Sequence, residues 1–437
     1  MSPTTSARRV PLSILDLAVV ADGATGQDAI RASLDLAVRA DALGYRRFWF
    51  AEHHLAPGVA SASPAVLAAL TAERTRRIKV GSGAVLLSTT SPLIAAEQFG
   101  AIAALHPGRV DLGLGRAFTP PPASGGATAV AVTASAAVAA EDSVAADAPV
   151  AADAPVAAVV PVAAVVPVAP PRREPQPARD VDGLHVPAAP PLDRGDSALR
   201  ERFLAQTRVI GASRTSGVFR EELEVVLGLR AGTFRDADGR PYVSPPVEGA
   251  DLDLWVLASS GGESARVAGE LGLPLAANYH VSPSTVLETV EQYRSAFRPG
   301  VLDAPYVVVS ADVLAAETDE RAAELADGFA DWVLSIRGGG GAAAYPRPGT
   351  GIRWEDRPQH ERALLLDRVS TRFVGTAATV VERLEALQRA TGADELLLTT
   401  EVHDPAARVR SFELIAQAWT AIAPDVAVDR EPAAATV

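Results

Sequence analysis

The stretch RIKVGSGAVLLSTTSPLIAAEQFGAIAALHPGRVDLGLGRA, Arg77 to Ala117, decides the fold of this chain. Ile78 to Leu87 is an apolar run that reads as a strand. Pro92 opens a helix that continues to Leu105, and His106-Pro107-Gly108 ends it. Val110 to Gly115 is the next strand. A strand, a helix and a second strand in close succession make one parallel βα unit, since parallel neighbours need a crossover between them.

The same alternation extends in both directions. Upstream, Pro11 to Val20 and Arg47 to Ala51 read as strands, and Gln27 to Leu43 and Pro64 to Arg76 as helices. Downstream, strands are expected at Leu252 to Ala258, Leu273 to Asn278, Tyr306 to Val313 and Glu395 to Thr400. Helices are expected at Ala198 to Ile210, Arg220 to Arg230, Ser264 to Leu271, Pro283 to Phe297, Asp319 to Ile336, Gln359 to Arg372, Ala377 to Thr391 and Pro405 to Ile422. Eight strands are the closing number of a (βα)8 TIM barrel. The competing open, doubly wound sheet would prefer a G-x-G-x-x-G turn after its first strand, and Ala21 to Gly26 lacks that spacing.

One segment breaks the pattern. From Ala117 to Pro171 there is no Lys or Arg, and Pro149, Pro155, Pro161 and Pro167 recur every six residues. Such spacing blocks helix and sheet alike. The expectation is a single barrel domain over residues 11–422, interrupted after strand 4 by a disordered Ala/Val/Pro-rich insertion at 117–196. Residues 423–437 are expected to form a disordered tail.

Composition narrows the chemistry. Forty basic and 53 acidic residues leave the chain at −13, which argues against nucleic acid or an anionic membrane as partner. The absence of cysteine excludes disulfides, thiolate metal sites and cysteine nucleophiles. No leader or spanning run is visible, so a cytoplasmic protein is expected.

Working residues of such barrels lie where strands end. Those ends carry Glu52-His53-His54, Ser82-Gly83-Ala84, Gly115-Arg116, Ser259-Ser260-Gly261-Gly262, Asn278-Tyr279-His280 and Thr400-Glu401-Val402-His403. Adjacent His53 and His54 point to opposite faces and are poor joint metal ligands, so no metal site is expected. An acid–base or hydrogen-bonding histidine competes there with a satisfied structural one. Ser259 to Ser264 is a small-residue turn before a helix, suited to an anion, and Arg116 could pair with the same phosphate. Glu263 beside it speaks against an anion unless its side chain turns outward.

Together, Gly44 to His54 (GYRRFWFAEHH), Arg77 to Ala117, Leu254 to Pro283 and Phe373 to Asp404 resemble the bacterial luciferase-like flavin-dependent monooxygenases, in their alkanal-monooxygenase-type branch. The resemblance covers roughly residues 11–117 and 197–422. It implies a barrel that binds reduced FMN, supplied by a separate reductase, and uses O2 to oxidise an aldehyde, ketone or natural-product substrate. His53 falls on the histidine that assists formation and breakdown of the flavin hydroperoxide. Gly83 and Ala84 fall on a non-prolyl cis peptide under the flavin ring. Arg116, Ser259, Ser260, Gly261 and Ser264 fall on the phosphate site. The family also implies a homodimer through helices 2 and 3. Two other readings stay open: a deazaflavin-dependent hydride-transfer enzyme, and a flavin-binding protein without catalysis. After Gly115-Arg116-Ala117 the chain departs from its relatives, and with it goes any inference of substrate.

Overall fold

The computed structural model describes residues 9–116, 176–191, 201, 205–206, 208–210, 218–339 and 341–420. The Ala/Val/Pro repeats, the tail after 422 and much of the helix expected at 198–210 lie outside them.

Eight parallel strands close on themselves. In sheet order they are β1 (Leu12–Asp16), β2 (Arg47–Phe50), β3 (Lys79–Ser82), β5 (Val110–Gly115), β8 (Leu252–Ala258), β9 (Leu275–Asn278), β10 (Val307–Ala316) and β12 (Glu395–Thr399), and β12 pairs back onto β1. The expected barrel is the fold. Its registers are parallel throughout, as with Ile14 opposite Phe48 and Val308 opposite Glu395.

The two-residue period of each strand sorts its side chains. Leu12, Ile14, Phe48, Phe50, Leu396 and Leu398 point outward into the layer between strands and helices. Leu15, Trp49, Trp255, Ala276, Val308 and Leu397 point inward and fill the barrel. The floor of that interior is ionic. Arg47, the first residue of β2, pairs with Asp111 at 2.8 Å and with Glu395 at 3.0 Å, and Asp111 also accepts the Trp49 and Trp255 indole N–H groups.

The helices follow their sequence signals. Helix α1 (Gly26–Leu43) starts with a Thr25–Asp28 capping box and stops at Gly44, whose φ of 84° suits a residue without Cβ. Helices α2 (Pro64–Arg74) and α3 (Pro92–Leu105) begin with proline, and Ser91 caps α3 through Ile94 N–H. Helix α4 (Phe219–Arg230) precedes β8, and α5 (Glu263–Glu270) and α6 (Val286–Ala296) flank β9. The expected helix at 319–336 is two, α7 (Asp319–Ala326) and α8 (Phe329–Arg337), because Gly328 at φ 85° interrupts it. Helices α9 (Gln359–Thr371), α10 (Ala377–Thr391) and α11 (Pro405–Thr420) complete the ring.

The strand expected at Ile78 to Leu87 is two, β3 and β4 (Val85–Leu86), the latter on β5, and the short β11 (Phe373–Thr376) on the end of β10 went unanticipated. The expected insertion also ends earlier than residue 196. Residues 176–191 are ordered and carry an antiparallel hairpin, β6 (Arg179–Val181) and β7 (Leu184–Val186). Its turn is Asp182-Gly183, both at positive φ, the pairing that favours tight hairpins. Leu184 and Val186 are buried, Gly183 meets Ala386 of α10, and the Tyr279 hydroxyl donates to His185 O at 2.7 Å. The hairpin therefore belongs to the barrel's flank.

Candidate active site

The candidate catalytic and cofactor residues His53, Gly83, Ala84, Arg116 and Ser259 to Ser264 sit after β2, β3, β5 and β8, which are successive strands of the sheet. They share one sector of the C-terminal rim, and several contacts tie them together. Gly83 N–H donates to Phe50 O at 2.8 Å, fixing the end of β3 to β2. Glu52 accepts from Leu86 N–H at 3.0 Å and from the Thr89 hydroxyl at 2.7 Å, and it pairs with His54 at 2.7 Å. His54 is thereby tied to Glu52, while the His53 side chain is exposed.

His53 is exposed yet ringed by protein. That enclosure, followed by the neighbouring His54, pulls its imidazole down to about 4. The ring is therefore neutral near pH 7 and able to accept a proton.

The peptide between Gly83 and Ala84 is cis. This segment is packed from below: a Cβ added at Gly83 would lie 2.6 Å from Leu15 Cδ1. One added at Gly115 would lie 3.2 Å from the Ala84 methyl group. Small residues here leave a low shelf between β3 and β5. The Ser82 hydroxyl, bonded to both Gly113 O and Gly113 N–H, bridges the strands where their ladder gives way.

Arg116 and the turn before α5 meet directly. The guanidinium is 2.6 Å from the Glu263 carboxylate and lies 5.4 Å from the Phe219 ring centre. Ser259 and Ser260 are exposed, Gly262 occupies the N-cap without a side-chain cap bond, and Ser264 is half-buried. Gly261 packs close to Glu288, where a Cβ would come within 2.6 Å of Cγ. Glu263 thus turns toward Arg116, not outward. An arginine, two serine hydroxyls and an uncapped helix start suit a phosphate once Glu263 yields.

The opposite wall joins His280 and Glu401, both expected at strand ends, to Asp312, Arg368 and Arg372, which the sequence reading missed. Asp312 in β10 takes the Arg372 side chain at 2.9 Å. Glu401 accepts from the Thr399 hydroxyl at 2.6 Å. Burial and then the Asp312 charge push Glu401 up to about 8. His280 bonds the Ser310 hydroxyl at 2.6 Å, and burial, Arg368 and His53 lower it to about 3. Arg368 and Arg372 both face the Phe329 ring, at 5.7 and 4.1 Å. Glu401 was visible as the end of a strand. Arg368 and Arg372 sit at the close of a helix and carried no signal. His403, grouped with the pocket histidines in the sequence, bonds Asp22 O at 3.0 Å by the first βα loop instead. Among the described residues, no three His, Asp or Glu side chains gather as metal ligands.

The molecule is thus a (βα)8 barrel with an ionic floor and a candidate site at the C-terminal ends of its strands. It belongs to the luciferase-like monooxygenase family, whose pattern it matches over residues 10–148 and 194–395. A luciferase-like monooxygenase of Escherichia coli K12 is 30% identical over 410 residues, 93% of this chain and 96% of that one. The crystal structure of apo-MsnO8 superposes with a TM-score of 0.66 at 27% identity, covering 94% of this chain and 99% of its own. The FMN-bound oxygenating constituent of 3,6-diketocamphane monooxygenase from Pseudomonas putida shares the fold, with a TM-score of 0.57 at 18% identity over 97% of this chain and 100% of its own. No helix among the described residues is long and apolar enough to cross a membrane.

Proposed function

We propose that this chain is an FMN-dependent monooxygenase that uses reduced FMN and O2 to oxidise an aldehyde, a ketone or a natural-product substrate. The observation that carries the reading is the convergence of neutral His53, the Gly83–Ala84 shelf and the Arg116 turn on one sector of the rim. When bound, the reduced flavin supplies the electrons that activate oxygen.

The protein's own residues position and protect. Arg116, Ser259, Ser260, Gly261 and Ser264 hold the phosphate, with the start of α5 adding its dipole. Gly83 and Ala84 leave room for a flat ring. His53, neutral near pH 7, takes or returns a proton at an imidazole nitrogen. Phe329, Trp332 and Tyr345 continue the inner apolar cluster beyond the strands and keep water from that side. Reduced flavin comes from a separate reductase. Exposed Val66, Leu70, Leu93 and Ile94 on α2 and α3 suit a homodimer contact.

The test is anaerobic loading with reduced FMN, then mixing with 18O2 and a panel of aldehydes and ketones. One 18O atom in the product is expected. Flavin reoxidation with no labelled product on any substrate would sink the reading. Stoichiometric binding without turnover would favour a binding protein, and a strong preference for deazaflavin would favour hydride transfer.

A further inference from the structure

Arg368 is 7% exposed, and among the described residues its side chain makes no hydrogen bond or ion pair. Its surroundings explain why. Asp367, next in the chain, is gripped bidentately by Arg337 at 2.6 and 2.8 Å. Asp312 is taken by Arg372, whose second branch donates to Glu401 O at 2.6 Å. The Glu401 carboxyl accepts from Thr399 and is held toward its protonated form. Three guanidinium groups therefore share two paired carboxylates, and Arg368 is the one left over. Burial, only partly offset by Asp312 and Glu401, weakens its hold on its proton. None of its nitrogens is both fully enclosed and unpartnered, so the guanidinium retains some exposure. Its charge is felt by His280, and the Phe329 ring covers one side.

A buried guanidinium without a direct ion-pair partner is costly unless a ligand supplies one. Its planar fork suits a carboxylate, which accepts two parallel N–H bonds. The proposed flavin residues come from β3, β5 and β8, while Arg368 faces groups from β9, β10 and β12 across the mouth. We infer that Arg368 binds a carboxylate carried by the organic substrate, so that the enzyme acts on small aldehydes or ketones bearing an acid group. This rests on the proposed function for the reaction, but the anion site stands on its own geometry.

The experiment is calorimetric titration of the flavin-free protein with 4-formylbenzoate and with its methyl ester. The wild type should bind the acid about tenfold or more tightly than the ester, the range for a charge-assisted hydrogen bond. Arg368→Gln should abolish that preference and leave ester binding within about twofold, since the ester makes no ion pair. Arg368→Lys, which keeps charge but loses the fork, should fall between them. Circular dichroism establishes that each variant is folded; Arg116→Ala should keep the acid preference, and its loss there would place the carboxylate at the proposed flavin phosphate site instead. No acid preference in the wild type, or a preference that survives in Arg368→Gln, overturns it. So does an Arg368→Gln protein that loses FMN affinity and keeps the acid preference. Neither titration needs oxygen or turnover, so failure of the 18O experiment would leave this result distinct.

Discussion

The Arg116 guanidinium sits 2.6 Å from the Glu263 carboxylate, across the gap between the end of β5 and the start of α5. The same arginine is assigned the flavin phosphate, so acid and cofactor compete for it. Each partner is 36% exposed, which keeps the pair weak. Glu263→Gln should tighten FMN about two- to fivefold, the scale of an exposed ion pair. Riboflavin, which lacks the phosphate, should bind unchanged. Arg116→Ala should weaken FMN about tenfold or more and again spare riboflavin. Fluorescence titration of both flavins gives the answer, and equal shifts for the two would dissociate Arg116 from the phosphate.

His53 and His280 predict an acid-sensitive fold. Unfolded histidine takes up its proton near pH 6.5. In the folded barrel the two rings do so only near pH 4 and 3. Between pH 6.5 and 4 the unfolded chain thus binds more protons, and stability falls as pH falls. His280→Asn should flatten that decline, read as melting temperature against pH. Activity should show no inflection near 6.5, because His53 is already neutral there. His53→Asn should lower turnover about 100-fold, the usual scale of a general acid–base group. Wild-type activity tracking a histidine near 6.5 would contradict the assignment.

The eight barrel strands were legible because each is a short apolar run bounded by turn residues. The rim residues were legible because strand ends can be located from such runs. What stayed hidden depended on contacts distant in sequence. Arg47, Asp111 and Glu395 look like stray charges at strand starts, and only closure of the barrel brings them together. The 179–186 hairpin had a readable Asp-Gly turn, masked by the proline-rich segment before it. Gly328 interrupts a continuous helical pattern because its positive φ is a property of conformation, not of spacing.

The ionic floor should be costly to break. Arg47 is 3% exposed and Asp111 fully buried. Burial raises Asp111, and the Arg47 charge is what opposes that rise most. Arg47→Met would leave Asp111 and Glu395 as buried acids with their main partner gone. A loss of about 3–5 kcal/mol is expected in urea unfolding, in line with halving a buried pair. The Asp111→Asn change removes the charge and leaves one oxygen for two indoles that donate to different carboxylate oxygens, so it should be costly as well. An Arg47→Met protein as stable as the wild type would mean that the floor is not an energetic keystone.

Glu401 predicts the opposite pH trend to the histidines. Its unfolded carboxyl releases a proton near 4.5, whereas in the barrel it holds on to about 8. Above pH 4.5 the folded state carries the extra proton, so stability declines as pH rises toward 8. Replacing Glu401 by Gln removes the titration and retains the shape. The amide oxygen can still accept from the Thr399 hydroxyl, and the amide N–H can donate to the Asp312 oxygen that has no other partner. Glu401→Gln should therefore gain roughly 1–3 kcal/mol at pH 8, with little change near pH 5. Urea unfolding at the two pH values measures both. A variant destabilised equally at pH 5 and 8 would show that the carboxyl is ionised in the fold, with Arg372 serving both acids at once.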